Sequence, residues 1–300
     1  MATSTMNQAL ELKQIAKDTF VNVHQPWLPH RARGIYGGVL IAQSLAAASR
    51  TVPKPELVQS MHCTFIVGGK PDVPLSYHVS RLQEDRHAHV RQVAAQQNGR
   101  VVFLAMVRFR AQTDRAVSGM VRIIKPIPRP EFPVADIMSG GNATPCPFVC
   151  TRIKRTSLGE AYKKSTTQWA KTRHALGHDA KPEAHAAALA YMTDNYFLCT
   201  VPRVHDLNDG IDPEEELDGP RPDDTRRRVQ MMLSLDHSIY FHASPTAYCA
   251  DDWLLMEMES PWAGDGRALV QQHVYSQSGL LLATCMQEGL IRMEKADIKL

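Results

Sequence analysis

The chain has 300 residues, of which 44% are apolar and 22% charged, with a net charge of +3 spread over both halves. That length suits two modules of about 100–150 residues each rather than one small core, and so diffuse a charge argues against a nucleic-acid partner, which needs a concentrated basic face. The opening "MATSTMNQALELKQIAKDTF" lacks the apolar core of a signal peptide, and no run of about 18 apolar residues exists to span a membrane.

The first predicted element is a helix. "GGVLIAQSLAAASRTV" (37–52) opens on a glycine pair, and Val39, Gln43, Ala46 and Arg50 recur on one face. Its small residues suit close packing against a broad surface. Four strands follow, "LVQSMHCTFIV" (57–67), "LSYHVSRLQ" (75–83), "AHVRQVAAQQ" (88–97) and "RVVFLAMVRFRA" (100–111). Asn98-Gly99 between the last two is the strongest short hairpin signal available. Residues 1–112 therefore read as one module, a helix and then antiparallel strands.

Residues 113–180 read as a linker. "KPIPRPEFPVAD" is proline-rich and extended, "SGGNATPCPF" is loop, and the polar "SLGEAYKKSTTQWAKTRHALG" is expected to be partly helical on the surface. From 181 to 300 the first pattern returns. A helix (185–199) and a 205–229 insertion precede strands at 232–243, 251–260, 267–277 and 280–294, the last two joined at Ser278-Gly279. The same order and spacing twice predicts an internal duplication. The insertion, acidic and then basic with Pro and Gly, reads as a solvated loop.

Common chemical motifs are missing: there is no G-x-S-x-G, no G-x-x-x-x-G-K-[ST], no G-x-G-x-x-G and no H-E-x-x-H. Cys146 and Cys150 lack a second ligand pair to complete a zinc site, and His87 with His89 falls on a polar turn, so no metal or other cofactor is expected. Cys63, Cys199 and Cys285 lie in apolar runs and read as buried thiols of a reducing compartment.

Three polar side chains stand out in otherwise apolar elements. In "LAYMTDNYFLC", Asp194 falls in the helical stripe of Ala187, Tyr191 and Leu198. In the 232–243 strand, Leu233, Leu235, Ile239 and Phe241 share one face, and Ser234, Asp236, Ser238 and Tyr240 the other. Gln287 shares an uncharged face with Leu281, Ala283, Cys285 and Ile291 and is expected to point inward. Each has an ordinary structural explanation by itself. Together they supply a carboxylate, a hydroxyl and an amide that meet only if the helix lies across the sheet.

The stretches "GIYGGVLIAQSL", "LVQSMHCTF", "VRQVAAQQNGRVVF", "LAYMTDNYFL", "SLDHSIYFH" and "MQEGLIRM" occur in an order that resembles the acyl-CoA thioesterase II family. The resemblance implies an α+β double hot-dog fold, two repeats in which a curved antiparallel sheet wraps a central helix, with the sheets joined edge to edge. It implies hydrolysis of an acyl-CoA to free acid and CoA by a water held between Asp194, Ser234 and Gln287. The family usually carries Thr at the hydroxyl position; Ser234 keeps the hydroxyl and loses the methyl that stiffens χ1. Burial among Ala, Tyr and Leu is expected to raise the Asp194 pKa. Gly37 and Gly38 would let backbone approach the substrate, and a backbone N–H near the start of that helix, after the pair, would donate to its carbonyl oxygen. Arg33, Arg91 and Arg267 would line the CoA entrance, and Met231, Met232, Met256 and Met286 would shape an acyl slot.

Two other readings stay open at this point: a double hot-dog acyl-CoA binding or scaffold protein without turnover, and a dehydratase or hydratase using His62 or His242. The expected partner is acyl-CoA, with homo-oligomerisation open. A cytoplasmic location is expected, although the final Ile298-Lys299-Leu300 is a degenerate form of the Ser-Lys-Leu peroxisomal address. Fatty-acyl-CoA turnover and product release in a polyketide pathway both fit.

Overall fold

The computed structural model describes residues 5–29, 34–53, 56–111, 137–138, 146–155, 159–177, 179–208, 217–218 and 228–294. Arg33, most of the proline-rich linker, most of the 205–229 insertion and the C-terminal Ile298-Lys299-Leu300 lie outside them. In chain order, α1 (Met6–Leu10), β1 (Leu12–Ala16) and β2 (Thr19–Asn22) precede α2 (Gly37–Ser49) and the strands β3 (Glu56–Phe65), β4 (Ser76–Glu84), β5 (Ala88–Gln97) and β6 (Arg100–Ala111). Then come β7 (Ile137–Met138), β8 (Phe148–Thr151), β9 (Ile153–Arg155) and β10 (Ser165–Thr172), the helices α3 (Pro182–Met192) and α4 (Thr200–Val204), and β11 (Leu217–Asp218). The chain closes with β12 (Val229–Ser234), β13 (Asp236–Phe241), β14 (Leu254–Gly264), β15 (Arg267–Tyr275) and β16 (Leu281–Met293).

Among the described residues the strands form one sheet whose main path runs β1-β2-β4-β5-β6-β3-β13-β16-β15-β14-β10-β8-β7. The order β4-β5-β6-β3 is mirrored by β14-β15-β16-β13, and the seam is the antiparallel β3–β13 pair. At that seam Met61 stands opposite Ile239; one strand further out, Val107 stands opposite Met61 and Cys285 opposite Ile239. The duplication expected from the sequence is thus a near-twofold relation through the seam, and pairing β3 with β13 removes two free strand edges.

The two long helices pack against each other inside this sheet. Every residue of α2 from Gly38 to Ser49 except Ala46 is buried, as is every residue of α3 from Ala186 to Met192. A helix enclosed on all sides can be apolar all round, which is why neither shows a polar stripe. The start of α2 meets the end of α3, Gly38 lying against Tyr191, and Ser49 at the other end shares a cavity wall with Pro182 and Ala186. The helices therefore run antiparallel.

Local chemistry sets the turns. Asn98 (φ 50°) and Gly99 (φ 75°) form a two-residue turn with both centres left-handed, which matches the strand twist. Ser278-Gly279 does not repeat it. Only Gly279 is left-handed (φ 81°), and the Ser276 N–H bonds the Leu280 carbonyl across a wider loop. The tight turn of the second half is instead Asp265-Gly266 (φ 50° and 73°), between β14 and β15.

Three predicted elements are redrawn. The stretch expected to be a partly helical surface linker contains β10, paired with β14 and with β8, and it buries Thr166, Gln168, Trp169, Ala170 and Thr172. Two of its polar groups are satisfied within the sheet: Gln168 Nε2 donates to the Thr151 carbonyl at 2.8 Å, and the Trp169 N–H donates to Thr151 Oγ1 at 3.0 Å. The 185–199 helix starts earlier, with Pro182 at its first turn where a missing N–H is harmless, and ends at Met192. The 232–243 strand breaks at Leu235. Cys63 and Cys285 are buried as expected, whereas Cys199 is only partly so.

Candidate active site

Asp194 belongs to a turn rather than to the helical stripe predicted for it. The Thr193 hydroxyl donates back to the Ala190 carbonyl at 2.8 Å, and Tyr196 takes a left-handed conformation (φ 53°), so the chain leaves the helical path just where Asp194 stands. The turn aims the carboxylate at the first residues of α2. There the Gly38 N–H donates to it, using the unpaired donors and partial positive charge of a helix N-terminus. The approach is close enough to need the glycine pair. A Cβ on Gly37 would lie 2.6 Å from Asp194 Oδ2 and 2.9 Å from the Phe65 ring, and one on Gly38 would strike the Tyr191 carbonyl and the Tyr36 ring. The Tyr36 hydroxyl donates to that same Tyr191 carbonyl at 2.9 Å, tying the two helices together.

Gln287 points inward, as predicted. Its Nε2 donates to Asp194 Oδ1 at 2.9 Å and stands 3.2 Å from His237 Nδ1. Its Oε1 is buried and has no hydrogen-bond partner among the described residues. Burial pushes the Asp194 carboxyl up to about 6, against the opposing pull of the Gln287 and Gly38 bonds. The residue nonetheless keeps some accessible surface.

Ser234 reaches the same face by a bulge. The ladder runs Ser234–Gly289 on one side of the break and Ser238–Met286 on the other, a shift of one residue centred on Leu235 and Asp236. Asp236 Oδ1 accepts the Glu288 N–H at 2.8 Å and fills the gap. One extra residue exchanges the two faces. Hence Leu233, expected to share a face with Ile239 and Phe241, is 49% exposed while they are buried. Ser234 lies opposite Gly289, whose absent Cβ would run into Leu198 in the interior, so Ser234 faces inward as the diagonal neighbour of Gln287. Among the described residues no hydrogen bond joins Ser234 to Asp194 or Gln287.

Other expected site residues are placed elsewhere. Arg91 is fully buried: its guanidinium donates to Thr51 Oγ1, the carbonyls of Thr51, Gln83 and Val90, and the Glu84 carboxylate. It ties strands to the end of α2 and lines no entrance. Arg267 is exposed and paired with Glu288 at 2.7 Å. Met256 is core, and Met286 alternates with Gln287 on the opposite face of β16, leaving Met232 as the one of the four that packs partly buried on the inner side. The Gly38 N–H itself is directed at Asp194. His62 and His242 are exposed and bond Ser238 and Thr284, on the far face of the sheet from Gln287.

One residue of the cluster was passed over. His237 is completely buried, its Nε2 is 3.2 Å from Thr193 Oγ1, and its ring meets Phe197 edge-on at 5.6 Å. Burial pushes its pKa down to about 3, so it is neutral at any working pH. The sequence did carry a signal: by simple alternation His237 falls between Leu235 and Ile239 on the apolar side of its strand.

Residues 23–110 match the profile of the acyl-CoA thioesterase N-terminal domain and residues 132–291 that of the acyl-CoA thioesterase C-terminal domain. Acyl-coenzyme A thioesterase 8 of Homo sapiens is 29% identical over 308 residues, spanning 95% of this chain and 88% of its own. The peroxisomal acyl-coenzyme A thioester hydrolase 1 of Saccharomyces cerevisiae is 24% identical, over 97% of this chain and 95% of its own. In three dimensions an acyl-CoA thioesterase II from Mycobacterium marinum superposes with a TM-score of 0.72 at 26% identity, covering 97% of this chain and 98% of that one.

Proposed function

The chain belongs to the acyl-CoA thioesterase II family, and from the geometry of its buried polar cluster we propose that it hydrolyses acyl-CoA thioesters with Asp194 as general base. Water enters between Asp194, Gln287 and Ser234. Asp194 accepts one of its protons while the oxygen lone pair attacks the thioester carbonyl carbon. The second O–H donates to Gln287 Oε1, and the Ser234 hydroxyl completes the shell. The tetrahedral intermediate then expels the CoA sulfur, and the proton held by Asp194 goes to that leaving thiolate, so Asp194 ends each turnover ionised.

The observation that carries this reading is the 2.9 Å bond from Gln287 Nε2 to Asp194 Oδ1, with Gln287 Oε1 left buried and unpartnered beside it. A buried amide oxygen without a donor is costly, and a water bound to Asp194 supplies one. A carboxylate raised to about 6 is a stronger base than a solvated one while remaining mostly ionised near neutrality. A base of this kind is typically worth about 10²–10⁴-fold.

The test is free-thiol release from a panel of acyl-CoA substrates by the wild type and by Asp194→Ala. Loss of turnover with the fold intact is expected. Normal turnover by that variant sinks the mechanism and favours another base. A scaffold without activity would leave the wild type inactive on every substrate of the panel.

A further inference from the structure

Gln287 is useful to an attacking water only if its amide is held one way round. The two orientations of a glutamine amide exchange an acceptor for a donor and differ little in shape. His237 decides between them. One step along the ladder from the Ser238–Met286 pair, it stands opposite Gln287, with Nδ1 3.2 Å from the amide nitrogen. On the far side of the ring, Nε2 is 3.2 Å from Thr193 Oγ1, and that hydroxyl already donates to the Ala190 carbonyl at 2.8 Å. A hydroxyl whose one proton is committed can only accept. The ring proton therefore sits on Nε2, and Nδ1 presents a bare lone pair to Gln287.

We infer that His237 is a positioning residue, which through the chain Ala190 carbonyl–Thr193–His237 orients the Gln287 amide so that its oxygen faces the hydrolytic water. With this tautomer, both amide hydrogens are taken, one by Asp194 Oδ1 and one by His237 Nδ1. Turning the amide over would set Oε1 against two acceptors at once, and Gln287 and His237 are both fully buried, where unpaired acceptors are most costly. The contact with Phe197 holds the ring plane. The inference rests on the reading of Asp194 and Gln287 as the reacting pair.

The experiment compares His237→Asn with His237→Gln in the full chain. The Asn amide can place an acceptor near the position of Nδ1; the longer Gln amide reaches the position of Nε2 instead. His237→Asn is expected to lose less than about tenfold in kcat and His237→Gln about 100-fold, with KM changed little in both. In a Gln287→Ala background, His237→Gln is expected to add less than about threefold, because the group it orients is gone. Equal kcat for the Asn and Gln variants, or fully additive losses in the double variant, overturns the inference. If neither His237 variant folds by circular dichroism, Thr193→Val interrupts the same chain from its other end: a fall in kcat of about tenfold is expected, and unchanged kcat overturns it. Asp194→Ala separates the two levels. Activity in that variant defeats the underlying mechanism, whereas an inactive Asp194→Ala beside a fully active His237→Gln defeats the positioning role alone.

Discussion

The two ends of the α2–α3 pair are built alike and equipped differently. At one end the Thr193 hydroxyl turns back to the Ala190 carbonyl; at the other the Thr51 hydroxyl turns back to the Ala48 carbonyl, both at 2.8 Å. Each threonine also meets a buried nitrogen, His237 Nε2 in one case and Arg91 Nε in the other. The next residue is Asp194 at the first end and Val52 at the second. Two residues beyond the seam-equivalent pair Cys285 and Val107 come Gln287 and Phe109, both buried. Where the first end holds a carboxylate and an amide, the second holds a cavity of about 20 Å³ walled in part by Val52, Phe109, Pro182 and Glu183. The helix starts differ as well. α2 begins with two glycines that let backbone reach Asp194 and Tyr191, whereas α3 begins with Pro182 and Glu183, both of which carry side chains. A duplicated scaffold thus offers two equivalent corners, and a few side chains decide which one can hold a polar reaction.

The sharpest way to break this contrast is to remove charge from each corner. Asp194→Ala is expected to lower kcat about 10²–10⁴-fold and Glu183→Ala to change it by less than about twofold; a large loss at Glu183 would mean the second corner also takes part. Next in size, Gly38→Ala drives a Cβ into the Tyr191 carbonyl, and a loss of about 3 kcal/mol or more in urea unfolding is expected, against less than about 1 kcal/mol for Pro182→Ala.

The third prediction concerns pH. A general base with a pKa of about 6 gives a kcat/KM that falls about tenfold per pH unit below that point and is flat above it. For stability the sign is the reverse. Because the folded pKa lies above the ordinary 3.8, the folded state holds its proton longer than the unfolded chain, so stability is lost as pH rises from about 4 to about 6 and the deficit then stays constant. Asp194→Asn is therefore expected to be more stable than wild type by about 2–3 kcal/mol above pH 6, with the difference vanishing below about pH 4. The smallest effect belongs to Ser234. Its removal in Ser234→Ala is expected to cost about tenfold or less in kcat, and Ser234→Thr, with a stiffer χ1, to raise kcat up to about threefold; an inactive Ser234→Ala would promote the hydroxyl to an essential group.

Much of this was legible from residue pattern. Alternation located β3 to β6 and β14 to β16 within a few residues, because a strand with one buried face must repeat every second residue. The turn at Asn98-Gly99 was legible for a similar reason, since few other pairs tolerate two left-handed centres. The same rule failed at Ser234 because a bulge changes parity without leaving a mark in composition. It failed at β10 because Gln168 and Thr172 look solvated until Thr151, Asn195 and Asp251 supply their hydrogen-bond partners. Arg91 looked available for the same reason, its five donors having no visible partners in one dimension.

By itself the amino-acid order determined the repeat, the two enclosed helices, the inward face of Gln287 and the oddity of Asp194, all of which depend on periodicity and on the cost of burying polar atoms. Only the tertiary structure decided that Asp194 leaves the helix in a turn, that Gly37-Gly38 closes upon it, and that His237 and Thr193 stand behind Gln287. Those contacts join residues from 44 to 157 positions apart, and hydrogen-bond direction and ring tautomer exist only once the partners are in place.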